Sequence, residues 1–229
     1  MKIFNDILNV IKNSNLIAES HKDGRTGSVI DEENIINLLK NELGDCIEES
    51  EARSSKDMIA IDPETKNRYH INIKTSGRGN GDNAYSSLAL LHAFTDISTE
   101  ELANRSLGGK YDSRISDKDF QALLEQRKKD TDRDYYFLNL DKKDMTRNPI
   151  IRGLKEIEHW RTNAKNNLQI DWGKESQSKG KKRSFEQAYQ DIIVNGVYKC
   201  WNDLHDQRQQ GIEIYKNSNP KYQLFKEVV

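Results

Sequence analysis

The sequence predicts an α/β protein, one domain in which strands and helices alternate along the chain. Two observations lead there. Segments whose apolar residues recur at helical spacing alternate along the chain with short runs of period two. The strand-like runs are also bounded by turn residues, and two of them lie close enough to form a hairpin. A length of 229 residues fits a single domain over 1–229.

Composition excludes several classes. Hydrophobic residues make up 34% and charged residues 32%, and no apolar run approaches the ~20 residues of a membrane-spanning helix. The opening MKIFNDILNVIKNSN has no small-residue cleavage site, so no secretion signal is expected. Cys46 and Cys200 make neither a disulfide framework nor a zinc site, and a reducing, cytoplasmic setting is expected. The net charge of −1 excludes a uniformly basic DNA-coating protein but leaves room for local basic segments.

Ile3, Phe4, Ile7, Leu8 and Ile11 predict an amphipathic first helix. SHKDGRTGS (20–28) reads as a polar loop. A second helix is expected from about Ser28 to Leu43, with Asp31, Glu32 and Glu33 in its first turn and Gly44 as its stop. CIEES is a possible strand. DMIAID and RYHINIK read as strands joined by a turn from Pro63 to Asn67. TSGRGNGDN (75–83) reads as a loop and AYSSLALLHAFT as a buried helix. STEELANRSL and SDKDFQALLEQRKK read as helices capped by serine. DYYFLNLD (134–141) and NLQIDW (167–172) read as strands, while NPIIRGLKEIEHW is ambiguous. GKESQSKGKKR (173–183) is expected to be a mobile basic loop, followed by a long helix starting at SFEQAYQ.

The hairpin carries the chemistry. Period two places Ile71 and Ile73 on one face, and His70, Asn72 and Lys74 on the other. A turn centred near residues 65–66 sets Asp57 opposite Lys74 and Ile59 opposite Asn72. Asp57, Asn72 and Lys74 then converge near one end of the sheet. An edge hairpin with a cross-strand Asp–Lys pair satisfies the same pattern without any site.

An acid at the start of one strand, followed by an apolar strand ending in an acid or amide, one residue, then Lys, resembles the PD-(D/E)xK nuclease superfamily. Here those residues are Lys56-Asp57 and Asn72-Ile73-Lys74-Thr75. IAID…INIKTS resembles the hairpin of orthodox type II restriction endonucleases, in which an IDIKT string occupies the second strand. Lys56 stands where the family has Pro, and Asn72 where it has its second acid. The order of helix, possible strand, hairpin, helix and later strand also fits a restriction-endonuclease-like core, and the resemblance implies a central mixed β-sheet flanked by helices, with extra helices beside it.

The resemblance implies a sequence-specific, Mg²⁺-dependent endonuclease for double-stranded DNA, the nuclease of a type II restriction system, acting as a homodimer. It makes Asp57, Asn72 and Lys74 catalytic. It makes Asp57, the carbonyl of Ile73 and an acid from the preceding helix the metal ligands. Helical phase leaves Glu33 and Glu32 nearly equal for that last role, with Asp31 third. Ser76, Arg78, Asn80, Asp82 and Asn83 in the following loop are candidates to touch bases or phosphates. Lys179, Lys181, Lys182 and Arg183 are candidates to follow phosphates. Two other readings remain: a structure-specific or repair nuclease, and a non-catalytic DNA-binding protein in which Asn72 marks a degenerate site.

Overall fold

The computed structural model describes residues 1–19, 24–50, 57–77, 82–85, 134–163, 167–198, 210 and 213. It is an α/β structure whose five-stranded mixed sheet is flanked by helices. Helix α1 (Lys2–Lys12) buries Ile3, Ile7 and Ile11, one residue per turn and on one face. Helix α2 runs over Gly24–Leu43, so part of the expected first loop is helical. It stops at Gly44, whose φ of +53° suits glycine and lets the chain turn into a short 3₁₀ segment.

The main sheet has the order β1 (Ile47–Glu49), β2 (Met58–Ile61), β3 (Arg68–Ser76), β5 (Tyr136–Asp141), β6 (Ile150–Gly153). Neighbours are antiparallel except β3 and β5, which run parallel. Strand β4 (Asp82–Tyr85) belongs to a second, antiparallel sheet with β8 (Asn167–Ile170) and β7 (Trp160–Asn163). The segment read as ambiguous therefore supplies β6 and ends on the first residue of β7. The expected loop 75–83 and helix 84–95 share a strand at their junction, and the rest of that helix lies outside the described residues. So do the helices expected at 98–107 and 116–129.

The period-two reading of β3 holds. Met58, Ala60, Ile71, Ile73, Tyr136, Leu138 and Leu140 form one face of the sheet and are buried with α1 and α2. Phe4, Tyr69 and Tyr136 pack edge-to-face at one end of this layer, with ring centroids 4.7–5.7 Å apart. On the opposite face Phe137 meets Trp172 at 5.8 Å. Trp172 opens the short helix α3 (Trp172–Glu175), which the Asp171 side chain caps through the Lys174 N–H.

The hairpin register differs from expectation by two residues. Met58 pairs with Ile71 and Ile59 with His70, instead of Ile59 with Asn72. The cause lies in the turn. Asp62 accepts the N–H groups of Glu64 and Thr65 through its side chain, and its backbone closes the loop against Asn67. Lys66 takes the left-handed conformation at φ +61°. A shift of two leaves every side chain on its expected face, whereas a shift of one would have reversed them all.

The stretch 173–183 is not an untethered loop. Glu175 is fully buried, pairs with Arg152 at 3.2 Å, and accepts the N–H groups of Glu158 and His159 at 3.0 Å. Arg152 also donates to the carbonyl of Ser178 at 2.8 Å, and Lys181 N–H donates to Glu156 O at 2.8 Å. The expected long helix begins as α4 (Phe185–Ala188) and continues as a π-helix over Tyr189–Tyr198. Gly196 lets this helix press against Trp160, because a Cβ there would lie 2.7 Å from the ring. No helix among the described residues is long and apolar enough to cross a membrane.

Candidate active site at the end of the hairpin

Strand β3 is nine residues long and β2 is four. The β2 ladder covers Arg68 to Ile71, so β3 continues past it through Asn72 to Ser76. At this step Asp57 takes over from the strand. Its N–H donates to Ile71 O at 3.0 Å, and its carboxylate accepts the Ile73 N–H at 2.6 Å. A side chain thus occupies the edge of β3 where a neighbouring strand's carbonyl would otherwise sit.

Asn72 and Lys74 project from the same face of β3. The register, carried one step further, sets Asp57 beside Asn72 rather than opposite Lys74, with Lys74 diagonal to it on that face. Burial raises the Asp57 carboxyl above its ordinary value, against the Ile73 N–H and then the Lys74 charge, which both favour its ionised form.

Helix α2 brings the second carboxylate. Burial first, and then the nearby Asp57 charge, push the Glu32 carboxyl up to about 7, against the opposing pull of Lys74 and Lys142. Glu32 is half-buried, while the Glu33 side chain is exposed. Of the two, Glu32 is the one on which the Asp57 and Lys74 charges act. Asp31 is buried and gives one oxygen to the Glu19 N–H at 2.8 Å, which ties the chain after α1 to α2.

Asn72 stands where the PD-(D/E)xK pattern has its second acid. It is 6% exposed, and its Oδ1 is buried with no hydrogen-bond partner. A buried polar atom without a partner costs ~1–3 kcal/mol unless something else satisfies it. Among the described residues no group of three His, Cys, Asp or Glu side chains is placed to hold a metal ion. The oxygens that a cation could draw on here are of another make-up: the carboxylates of Glu32 and Asp57 and the Asn72 amide oxygen. All are hard oxygen donors, and two repel each other in a partly desolvated place, so they suit a hard divalent cation such as Mg²⁺. Ile73 is paired with Leu138 of β5, and its N–H is the group holding Asp57 in place.

The other expected contacts fare unevenly. Ser76 is buried, and its Oγ accepts from Asn139 Nδ2 at 3.1 Å, so it serves the β3–β5 seam and not an outer surface. Arg78 and Asn80 lie outside the described residues. Asn83 sits in β4 opposite Gln169, as strand and not loop, and Asp82 opposite Ile170. Lys179, Lys181 and Lys182 are exposed. Arg183 is a correction: its side chain is 6% exposed, pairs with Asp191 at 3.2 Å and donates to Ile157 O at 2.7 Å. It holds the chain leading into α4, with its Nε on Asp191 and its Nη1 on backbone carbonyls of Lys155 and Ile157.

The sequence reading missed Lys142, just past the end of β5. Its backbone N–H donates to Ser76 O at 2.9 Å, and its ammonium donates to Ser28 Oγ on α2 at 3.4 Å. No local motif marks it, because it reaches the site only through the parallel pairing of β3 with β5. No family model matches the chain, and no curated protein matches it.

Proposed function

We propose that this chain is a Mg²⁺-dependent endonuclease for double-stranded DNA, built on a restriction-endonuclease-like core. We further infer that it is the nuclease of a type II restriction system, working as a two-fold dimer that cuts both strands of a symmetric site. One observation carries the reading. Where β3 outruns β2, Glu32, Asp57 and Lys74 lie within one another's electrostatic field, beside the unpartnered Asn72 Oδ1. A cross-strand Asp–Lys pair in an edge hairpin explains neither the helix carboxylate nor the orphaned amide oxygen.

The residues divide the work of phosphodiester hydrolysis. Glu32, Asp57 and the Asn72 amide would hold the cation. When bound, Mg²⁺ supplies a water of lowered pKa and positive charge for the leaving oxygen. The Ile73 N–H fixes one Asp57 oxygen and so aims the other. Lys74 presents a positive charge on the same face, placed to offset the negative charge that develops on the phosphoryl oxygens and to orient the attacking water. The near-neutral balance of two acids and nearby lysines keeps the site from repelling a phosphate.

Incubating the chain with plasmid DNA, with and without Mg²⁺, tests the proposal. Discrete fragments that require Mg²⁺ are expected. Binding without cleavage would overturn the catalytic reading in favour of a DNA-binding protein, which Asn72 in place of an acid would then explain. Cleavage confined to branched substrates would keep the chemistry and move the chain to the structure-specific nucleases.

A further inference from the structure

We propose that Lys142 is a second phosphate-binding cation of this site, acting from the helix side of the sheet while Lys74 acts from the hairpin. The inference rests on the nuclease reading above and adds to it a residue that the hairpin pattern does not contain.

The placement follows from topology. Strands β3 and β5 run parallel, with Ser76 paired to Asp141, so their C-terminal ends emerge side by side. The Lys142 N–H extends that ladder by one more bond, to Ser76 O at 2.9 Å. Alternation then puts Lys142 on the face shared by Leu138 and Leu140, the face that α2 covers. Its ammonium reaches Ser28 Oγ at 3.4 Å, one helical turn before Glu32.

Partial burial separates Lys142 from the exposed lysines that also form no ion pair, Lys12, Lys66 and Lys143, and the lack of a pair separates it from four others. Lys2, Lys40, Lys174 and Lys181 each pair with a carboxylate at 2.8–3.9 Å. Lys142 is half-buried and, among the described residues, forms no ion pair. Its charge is felt at Glu32, but from beyond ion-pair distance. A partly desolvated ammonium held near a carboxylate without closing on it keeps donors for an anion from outside. Lysine binds phosphate as a point charge and needs no planar fork, so a phosphate of the DNA backbone next to the scissile one is a suitable partner.

The test uses the full chain with Lys142→Met, which keeps most of the side chain's stem, and Lys142→Arg, which keeps the charge. Binding to a short DNA duplex is measured without divalent ions over a range of salt, alongside Mg²⁺-dependent cleavage. Loss of one phosphate contact should reduce the slope of log K against log salt by about 0.9. Between ~50 and ~200 mM salt, the variant should therefore lose about 3.5-fold less affinity than the parent. Lys142→Met should also raise KM, and Lys142→Arg should restore both quantities. An unchanged slope in Lys142→Met, with a parent that cleaves, overturns this inference and leaves the nuclease reading standing. A fall in kcat with slope and KM unchanged also overturns it, because Lys142 would then act only through Glu32. If Lys142→Met does not fold, Lys142→Gln provides the same comparison. A parent that shows no Mg²⁺-dependent cleavage overturns the nuclease reading itself.

Discussion

Replacing Glu32 by Gln should stabilise the protein at pH 8 and leave its stability unchanged near pH 4. Burial and the Asp57 charge move the Glu32 carboxyl from 4.5 to about 7. Below the ordinary value the group is neutral in both folded and unfolded chains, and it contributes nothing. As the pH rises from 4.5 to about 7, the unfolded chain gives up this proton while the folded chain keeps it, so stability falls across that window. Above it the folded protein bears the full cost of an ionised Glu32. A displacement of about 2.5 pH units, at ~1.36 kcal/mol each, is about 3.4 kcal/mol. Glu32 is only half-buried, and solvent screening brings this to about 1–2 kcal/mol. Glutamine keeps the shape and removes the charge, so urea unfolding of Glu32→Gln should show a gain of that size at pH 8 and none near pH 4. Mg²⁺ should reverse the order, raising the unfolding midpoint of the parent far more than that of the variant, because ligand binding to the folded state alone stabilises it. Equal stability of the two proteins at pH 8 without metal would refute the reasoning. So would a variant less stable than the parent there.

Asp57→Ala and Lys74→Ala should each reduce cleavage by at least ~100-fold and leave binding to duplex DNA largely intact, as read by plasmid cleavage beside a mobility shift. Asn72→Asp should retain cleavage and lower the Mg²⁺ concentration needed for half-maximal rate, because it adds a charged oxygen where Oδ1 has no partner. Glu175→Ala should cost ~3–5 kcal/mol in urea unfolding, since it removes a fully buried carboxylate, leaves the largely buried Arg152 without its ion-pair partner and frees two N–H groups. Changing Lys179, Lys181 and Lys182 together to Ser should flatten the salt slope of DNA binding by up to ~2.7, the worth of three contacts, without changing sequence preference.

Much of the sheet was legible because period two needs no knowledge of register. Ile71 and Ile73 had to face one way and Asn72 and Lys74 the other, whichever residue of β2 stood opposite. The register itself was not legible, because it depends on a side chain. Asp62 leaves the strand pattern to cap the turn, which moves the closing pair to Asp62 and Asn67. Helical phase could not choose between Glu32 and Glu33. Asp31, Ile35 and Leu39 are buried four residues apart, and the neighbours of that stripe differ only in which flank faces the hairpin. Composition misled at 173–183. A stretch rich in Lys and Ser reads as solvated, yet Glu175 and Arg183 are its anchors, and both depend on partners distant in sequence, Arg152 and Ile157.

The same distinction bears on Asn72. Read along the strand, an amide in place of an acid is a deficit of one charged ligand. Read in three dimensions, the site already holds two carboxylates, each raised by burial, with Asp57 adding to the burden on Glu32. A third carboxylate at 72, with no hydrogen-bond donor on Oδ1, would add like charge to a place that already resists it. Lys74 and Lys142 offset the two acids present but supply no further positive charge. On the proposed reading, an amide here would spare the metal-free protein a third like charge and still offer an oxygen to a divalent ion, with weaker binding. In the nuclease proposed above, Asn72 would then make the site more dependent on Mg²⁺ concentration without abolishing its chemistry, and the decisive carboxylate would lie on α2, at Glu32, outside the hairpin.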